Sequence, residues 1–178
     1  EPVIAEAPPV AEEIEAVAEM IEVTKAEIPT YSADTFFQTT SYTLSSGAGH
    51  AFSADGSKIL GSSDASGVFN AIAMSADGSV TQLTNSETDA HFAESFFPND
   101  DRVLVSADQG GNELDHVYVL EADGTLKDLT PGDEVKASFG GWHASGERFY
   151  IWTNERDASA FDIYSYTTDG YARELIFE

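Results

Sequence analysis

Four histidines, 32 carboxylates and a scatter of serines are the groups with chemistry within reach, and their spacing decides which chemistry is open. An exposed nucleophilic serine on a strand-to-helix elbow needs Gly-x-Ser-x-Gly, because only small neighbours tolerate that turn. No two of the 14 glycines stand four positions apart, so the motif is absent. Neither a Gly-x-x-x-x-Gly-Lys phosphate cradle nor a dinucleotide-binding Gly-x-Gly-x-x-Gly occurs. His50, His91, His116 and His143 show no His-x-x-x-His pair, so they read as structural histidines bonded to backbone rather than as zinc ligands. With no cysteine, thiolate metal sites and disulfides are excluded. No catalytic residue and no cofactor are expected.

Two loops gather polar groups densely enough to face a ligand. Asp108-Gln109-Gly110-Gly111-Asn112-Glu113-Leu114-Asp115 collects oxygen donors. It lacks the alternation and closing Glu of a calcium loop, so side-chain caps to turn amides are the expectation. Asn154-Glu155-Arg156-Asp157 mixes both charge signs around one of only four arginines. Arg156 has the geometry to clamp a carboxylate, while the plainer reading pairs it with Glu155 or Asp157. Asn112, Glu113, Asp115, Glu155, Arg156 and Asp157 are thus the candidate ligand-facing residues.

The elements that position these loops are legible as a repeat. Asp55-Gly56, Asp100-Asp101 and Ser145-Gly146 recur at intervals of 45 residues. Asp77-Gly78, Asp123-Gly124 and Asp169-Gly170 recur at 46, as do Leu83-Thr84, Leu129-Thr130 and Leu175-Ile176. A period of this length with strand-type content indicates β-propeller blades. Each repeat reads as strands a to d. Strand a is placed at Ala51-Phe52, Phe96-Phe97 and Trp142-His143. Strand b is placed at Ile59-Leu60, Val103–Val105 and Phe149–Trp152, and strand c at Phe69–Met74, Val117–Leu120 and Ile163–Tyr166. Strand d is placed at Val80–Leu83, Leu126–Leu129 and Ala172–Leu175. Asp-Gly pairs supply the positive φ of tight hairpins. The apolar runs of strand b suit a strand covered on both faces. The expected fold is all-β: a partial propeller over residues 30–178, with blades at about 42–84, 90–130 and 137–178. The b–c loops and d–a connections share one face, where a ligand is expected.

Bulk properties narrow the partners. The net charge of −24 repels phosphate backbones, so nucleic-acid binding is not expected. No run approaches the roughly 18–20 apolar residues of a membrane helix, so no membrane span is expected. Residues 1–29 hold eight Glu and four Pro, and form an acidic extension. Ile14, Val17, Ala18 and Ile21 fall at helical spacing, so it is either a charged tether or a short helix over about Val10–Val23.

Phe52-Ser53-Ala54-Asp55-Gly56-Ser57-Lys58-Ile59-Leu60 resembles the repeat of TolB-type propellers and of the N-terminal propellers of prolyl-oligopeptidase-family serine peptidases, and Phe96–Arg102 is a variant of it. Asp108–Tyr118, Thr153–Asp157 and Phe161–Tyr164 are similar to the peptidase branch, acylaminoacyl-peptidase-like members included. The likeness covers about residues 28–178. It implies a propeller of seven or eight blades that gates or docks peptide substrates for a hydrolase domain, in a periplasmic or secreted protein. No triad residue can be carried onto this chain, and three blades do not close a ring, so a fragment of something longer is expected. Its partners would be the hydrolase domain or the remaining blades. The alternative is a non-enzymatic TolB-like module that binds another protein.

Overall fold

The computed structural model describes residues 28–45 and 47–178. The expected helix over about Val10–Val23 lies outside the described residues. The chain divides into two units, Glu1–Thr39 and Thr40–Glu178. In the first, Ala33–Phe37 form a five-residue helix, α1, with exposed residues throughout.

The second unit is three four-stranded antiparallel meanders. Blade 1 contains β1 (Tyr42–Leu44), β2 (Lys58–Ser63), β3 (Asn70–Ser75) and β4 (Val80–Gln82). Blade 2 contains β5 (Phe92–Phe96), β6 (Val103–Ala107), β7 (His116–Leu120) and β8 (Leu126–Asp128). Blade 3 contains β9 (Ala137–Trp142), β10 (Arg148–Thr153), β11 (Asp162–Thr167) and β12 (Arg173–Phe177). The repeat therefore folds as three propeller blades.

The c–d hairpins follow from their residues. Gly78, Gly124 and Gly170 take φ of 86°, 85° and 71°, values that a Cβ disfavours. Asp77 and Asp123 each accept the backbone N–H two residues on, which closes the turn. The Leu-Thr landmarks have an equally specific cause. Thr84 and Thr130 are buried, and each hydroxyl oxygen accepts the amide of a strand c residue, Ala71 at 2.9 Å and Val117 at 3.0 Å. The preceding leucines donate to the carbonyls of those same residues. Ile176 stands at this position in blade 3 and has no hydroxyl to offer.

Side-chain alternation along β6 builds the stack. Val103 and Val105 join Leu60, Ala71 and Ala73 of blade 1, with Ala93 and Phe96 beside them. Leu104 points the other way, into the cluster of Phe97, Val117 and Val119 with Ala137, Phe139, Phe149, Ile151, Tyr164 and Tyr166 of blade 3. Blade 2 is thus covered on both faces, as the continuous apolar run predicts.

Strand a differs from the sequence reading. In blade 1 it is Tyr42–Leu44, which pairs with Gly61–Ser63. Phe52 makes only an isolated bridge to Ile59. Leu60 serves two stretches, because its carbonyl accepts Ser45 N–H while its N–H donates to Ala51. In blades 2 and 3 strand a begins four to five residues upstream of the expected position. Glu94, Ser95, Ser138, Gly140 and Gly141 break the apolar pattern there.

The inner strands converge on Ser95. This residue is fully buried beside a register shift in β5. Its Oγ accepts His50 N–H and Trp142 Nε1–H, both at 2.8 Å, and donates to the Phe96 carbonyl at 2.6 Å. His50 lies between β1 and β2 of blade 1 and Trp142 belongs to blade 3, so one hydroxyl ties three blades. The His50 and Trp142 rings lie 5.9 Å apart across it.

Candidate functional site

Each strand c opens on a buried polar residue, and the three positions are spaced 46 apart: Asn70, His116 and Asp162. Each one fixes the loop face. Asn70 Oδ1 accepts Thr84 Oγ1–H and Ser86 N–H, while Nδ2 donates to Ser66 and to the Ser86 carbonyl. His116 places Nδ1 at 2.8 Å from Asp128 Oδ2 and Nε2 at 3.1 Å from the Gly132 carbonyl. It is structural and bonds backbone, as expected, but also bonds a carboxylate. Asp162 receives Arg156 through two nitrogens, at 2.5 and 3.0 Å.

The loops are also tied to one another. Gly110 N–H donates to Asp89, Ala137 N–H to the Asp115 carbonyl, and Lys136 N–H to Asn154 Oδ1. Lys136 Nζ donates to the Glu113 carbonyl at 2.8 Å. The face is therefore a fixed surface rather than a set of separate loops.

The six candidate residues separate into different roles. Asn112 Oδ1 caps Leu114 N–H at 2.9 Å and also accepts Gln109 N–H. Glu113 has φ 60°, and its N–H donates to Asp108. Asp157 accepts Ser159 through both N–H and Oγ–H. Asn112 and Asp157 are turn caps of the kind expected for the first loop, and Glu113 supplies an amide that Asp108 caps. Arg156 pairs with Asp162 and Glu178, not with Glu155 or Asp157. Glu155 instead takes Arg173, whose guanidinium lies over the Tyr164 ring. Glu155 lines an outer groove of about 350 Å³ with Lys127, Tyr171 and Arg173.

Asp115 alone of the six reaches a crevice on the loop face between blades 2 and 3. Phe92, Glu94, Ser106, Ala137 and Ser138 complete its lining, with a volume of about 350 Å³. Glu94 accepts Ser106 Oγ–H at 2.7 Å. The residues around the crevice thus include two acids, two serines and one phenylalanine, whose ring lies 5.1 Å from that of Phe69. Glu94 and Ser106 were not legible as site residues, because their alignment depends on the register of β5 against β6. β5 reads Phe-Ala-Glu-Ser-Phe, without period-two polarity, so no local pattern exposes them.

The cations settle the electrostatics. Residues 28–178 contain seven Lys and Arg. Lys58, Arg102, Arg148, Arg156 and Arg173 each meet a carboxylate. Lys127 lies over the Tyr171 ring, and Lys136 is held by a carbonyl. Carboxylates are in excess across the rest of the surface, which favours cationic ligands. Among the described residues no group of three His, Cys, Asp or Glu is arranged for a metal, and no helix is long and apolar enough to cross a membrane.

Several carboxylates are held below their ordinary range. Hydrogen bonds from Ser57 and Ser53 pull Asp55 down to about 2, and Arg102 holds Asp100 down in the same direction. Arg156 does the same for Asp162. Each contributes stability that is present above pH about 4 and lost as pH falls through the lower folded value. Urea midpoints should therefore drop between pH 4 and pH 2 (about), and Asp55→Asn should show a smaller drop. Equal drops for both proteins would contradict this assignment.

No protein-family model matches the chain, and no curated protein matches it. Solved structures do. A TolB-type protein from Agrobacterium tumefaciens superposes with a TM-score of 0.55 at 18% identity, over 72% of this chain and 48% of that one. TolB from Acinetobacter baumannii gives 0.53 at 18% identity, over 71% of this chain and 31% of that one. The chain spans about half of the first and a third of the second. The fold is that of TolB-type β-propellers.

Proposed function

We propose that this chain is a non-enzymatic, TolB-like propeller module that binds another protein through its loop face, with a cationic side chain of the partner entering the crevice at Glu94 and Asp115. The observation that carries the reading is that Glu94, Asp115 and Phe92 line one crevice on a hydrogen-bonded surface. A lysine or arginine stem packs on the ring while its head meets the acids. Among the described residues five of the seven Lys and Arg meet carboxylates, and the acidic excess of the surface steers a basic partner toward this face.

A short lysine-containing peptide is the probe. It should bind in a salt-sensitive manner, and Glu94→Gln with Asp115→Asn should weaken it at least tenfold, about 1.4 kcal/mol. Equal affinity for both proteins, or no binding, would count against the reading.

The role of gating peptides for a hydrolase domain rests on the residue resemblance alone, and no compared structure adds to it. A Gly-x-Ser-x-Gly segment encoded downstream of Glu178 would favour that role. A periplasmic or secreted location belongs to the same proposal and has the same support.

A further inference from the structure

We infer that the pocket where the a–b hairpins of blades 2 and 3 meet His50 binds a small carboxylic acid with a flat apolar body. The pocket has a volume of about 330 Å³, and His50, Trp142 and His143 line it together with Pro98, Asn99 and Ser145. Pro98 and Asn99 follow β5 and Ser145 follows β9, so it lies at the opposite ends of the strands from Asp115 and the loop face. Its walls belong to the joints that blade 2 makes with blades 1 and 3, and it owes nothing to the outer faces of the stack.

The walls are fixed by bonds that a ligand does not have to make. His50 is held through its main chain. Its N–H donates to Ser95 Oγ at 2.8 Å, and its carbonyl accepts Phe96 N–H at 2.9 Å. Trp142 gives Nε1–H to the same hydroxyl, so it offers a ligand only its ring, which lies 5.9 Å from that of His50. A flat apolar body packs on such rings. Groups already held in place lose little freedom when a ligand arrives.

The polar groups left over are donors. His143 Nδ1 accepts Ser145 N–H at 3.1 Å, which leaves the proton of the neutral ring on Nε2. Asn99 brings its amide from the facing hairpin, where a Cβ added to Gly146 would lie 3.7 Å from Asn99 Nδ2. Among the described residues no hydrogen bond occupies His143 Nε2 or Asn99 Nδ2. No Asp or Glu lines the pocket, in a chain that has 32 of them. The acids that follow Asn99 are met in place, Asp100 by Arg102 at 2.7 Å and Asp101 by Lys58 at 3.9 Å. The rest of the acidic surface repels anions, whereas a carboxylate here meets donors and no acid. Among the described residues no third His, Cys, Asp or Glu joins the two imidazoles, so the pair falls short of a metal site.

Phenylacetate is the probe, followed through the side-chain nitrogen signals of the 178-residue chain by nuclear magnetic resonance at about 0.1 M NaCl. Signals of His50, Asn99, Trp142 and His143 should shift saturably, while those of His91 and His116 stay in place. Phenylacetamide keeps the ring but not the charge, and should bind roughly tenfold more weakly. Asn99→Ala and His50→Ala should each weaken phenylacetate roughly threefold or more, with the β-type circular dichroism spectrum kept. Should His50→Ala lose that spectrum, Asn99→Ala alone decides. Absence of a saturable shift, equal affinity for the amide, or parallel shifts at all four histidines overturns the inference. It rests on a different pocket from the Glu94 crevice and on the opposite ligand charge, so either reading can fail alone.

Discussion

Phe149→Ala should cost about 3–5 kcal/mol, read as a shift of the urea midpoint followed by tryptophan fluorescence. Phe149 is fully buried at the joint between blades 2 and 3. Its ring stacks on Tyr166 at 5.4 Å, meets Phe97 edge-on at 5.9 Å and lies 5.3 Å from Trp142. Truncation removes the centre of this aromatic cluster and leaves a void between two sheets whose backbones are held by their own ladders. Such sheets cannot easily collapse to fill it. Against a total stability of roughly 5–15 kcal/mol, the loss is a large fraction. A cost under about 1 kcal/mol would mean that the two blades are not packed through this ring.

Ser95→Ala should cost about 2–4 kcal/mol, although it deletes a single oxygen. The oxygen accepts His50 N–H and Trp142 Nε1–H, and alanine leaves both donors without that partner. Adding Trp142→Phe removes one of the stranded donors, so the double variant should lose less than the sum of the singles. The expected coupling is about 1 kcal/mol. Additive costs would show that Ser95 and Trp142 do not share this bond.

The repeat was legible because its markers carry backbone duties. Asp-Gly at c–d hairpins and Thr84 and Thr130 at strand c are needed wherever a blade turns, so they return in phase. Strand a was less legible. Its interior-facing positions include Ser95, a residue type that marks loops in a sequence, and its role appears only when neighbouring blades supply His50 and Trp142. Blade 1 also inserts an excursion between Leu44 and Ala51, which moved its first strand away from the Asp55-Gly56 turn. The candidate loops share one hydrogen-bonded face, yet most of their polar groups cap their own turns. Asp115 reaches the crevice because of where β7 starts, and its partners Glu94 and Ser106 come from strands whose register no local motif records. Arg156 shows the same limit: Asp162 and Glu178 become its partners only once β11 and β12 are paired.

Three wedges stack radially with their inner edges meeting at Ser95. Nuclear Overhauser contacts in the wild-type chain read this arrangement out. The Trp142 ring should show contacts to Phe97, 5.1 Å away between centroids, and to His50, 5.9 Å away. These pairs lie 45 and 92 residues apart in sequence and belong to different blades. A well-dispersed β-type spectrum in which Trp142 contacts only residues of β9 and β10 would contradict the stacked arrangement.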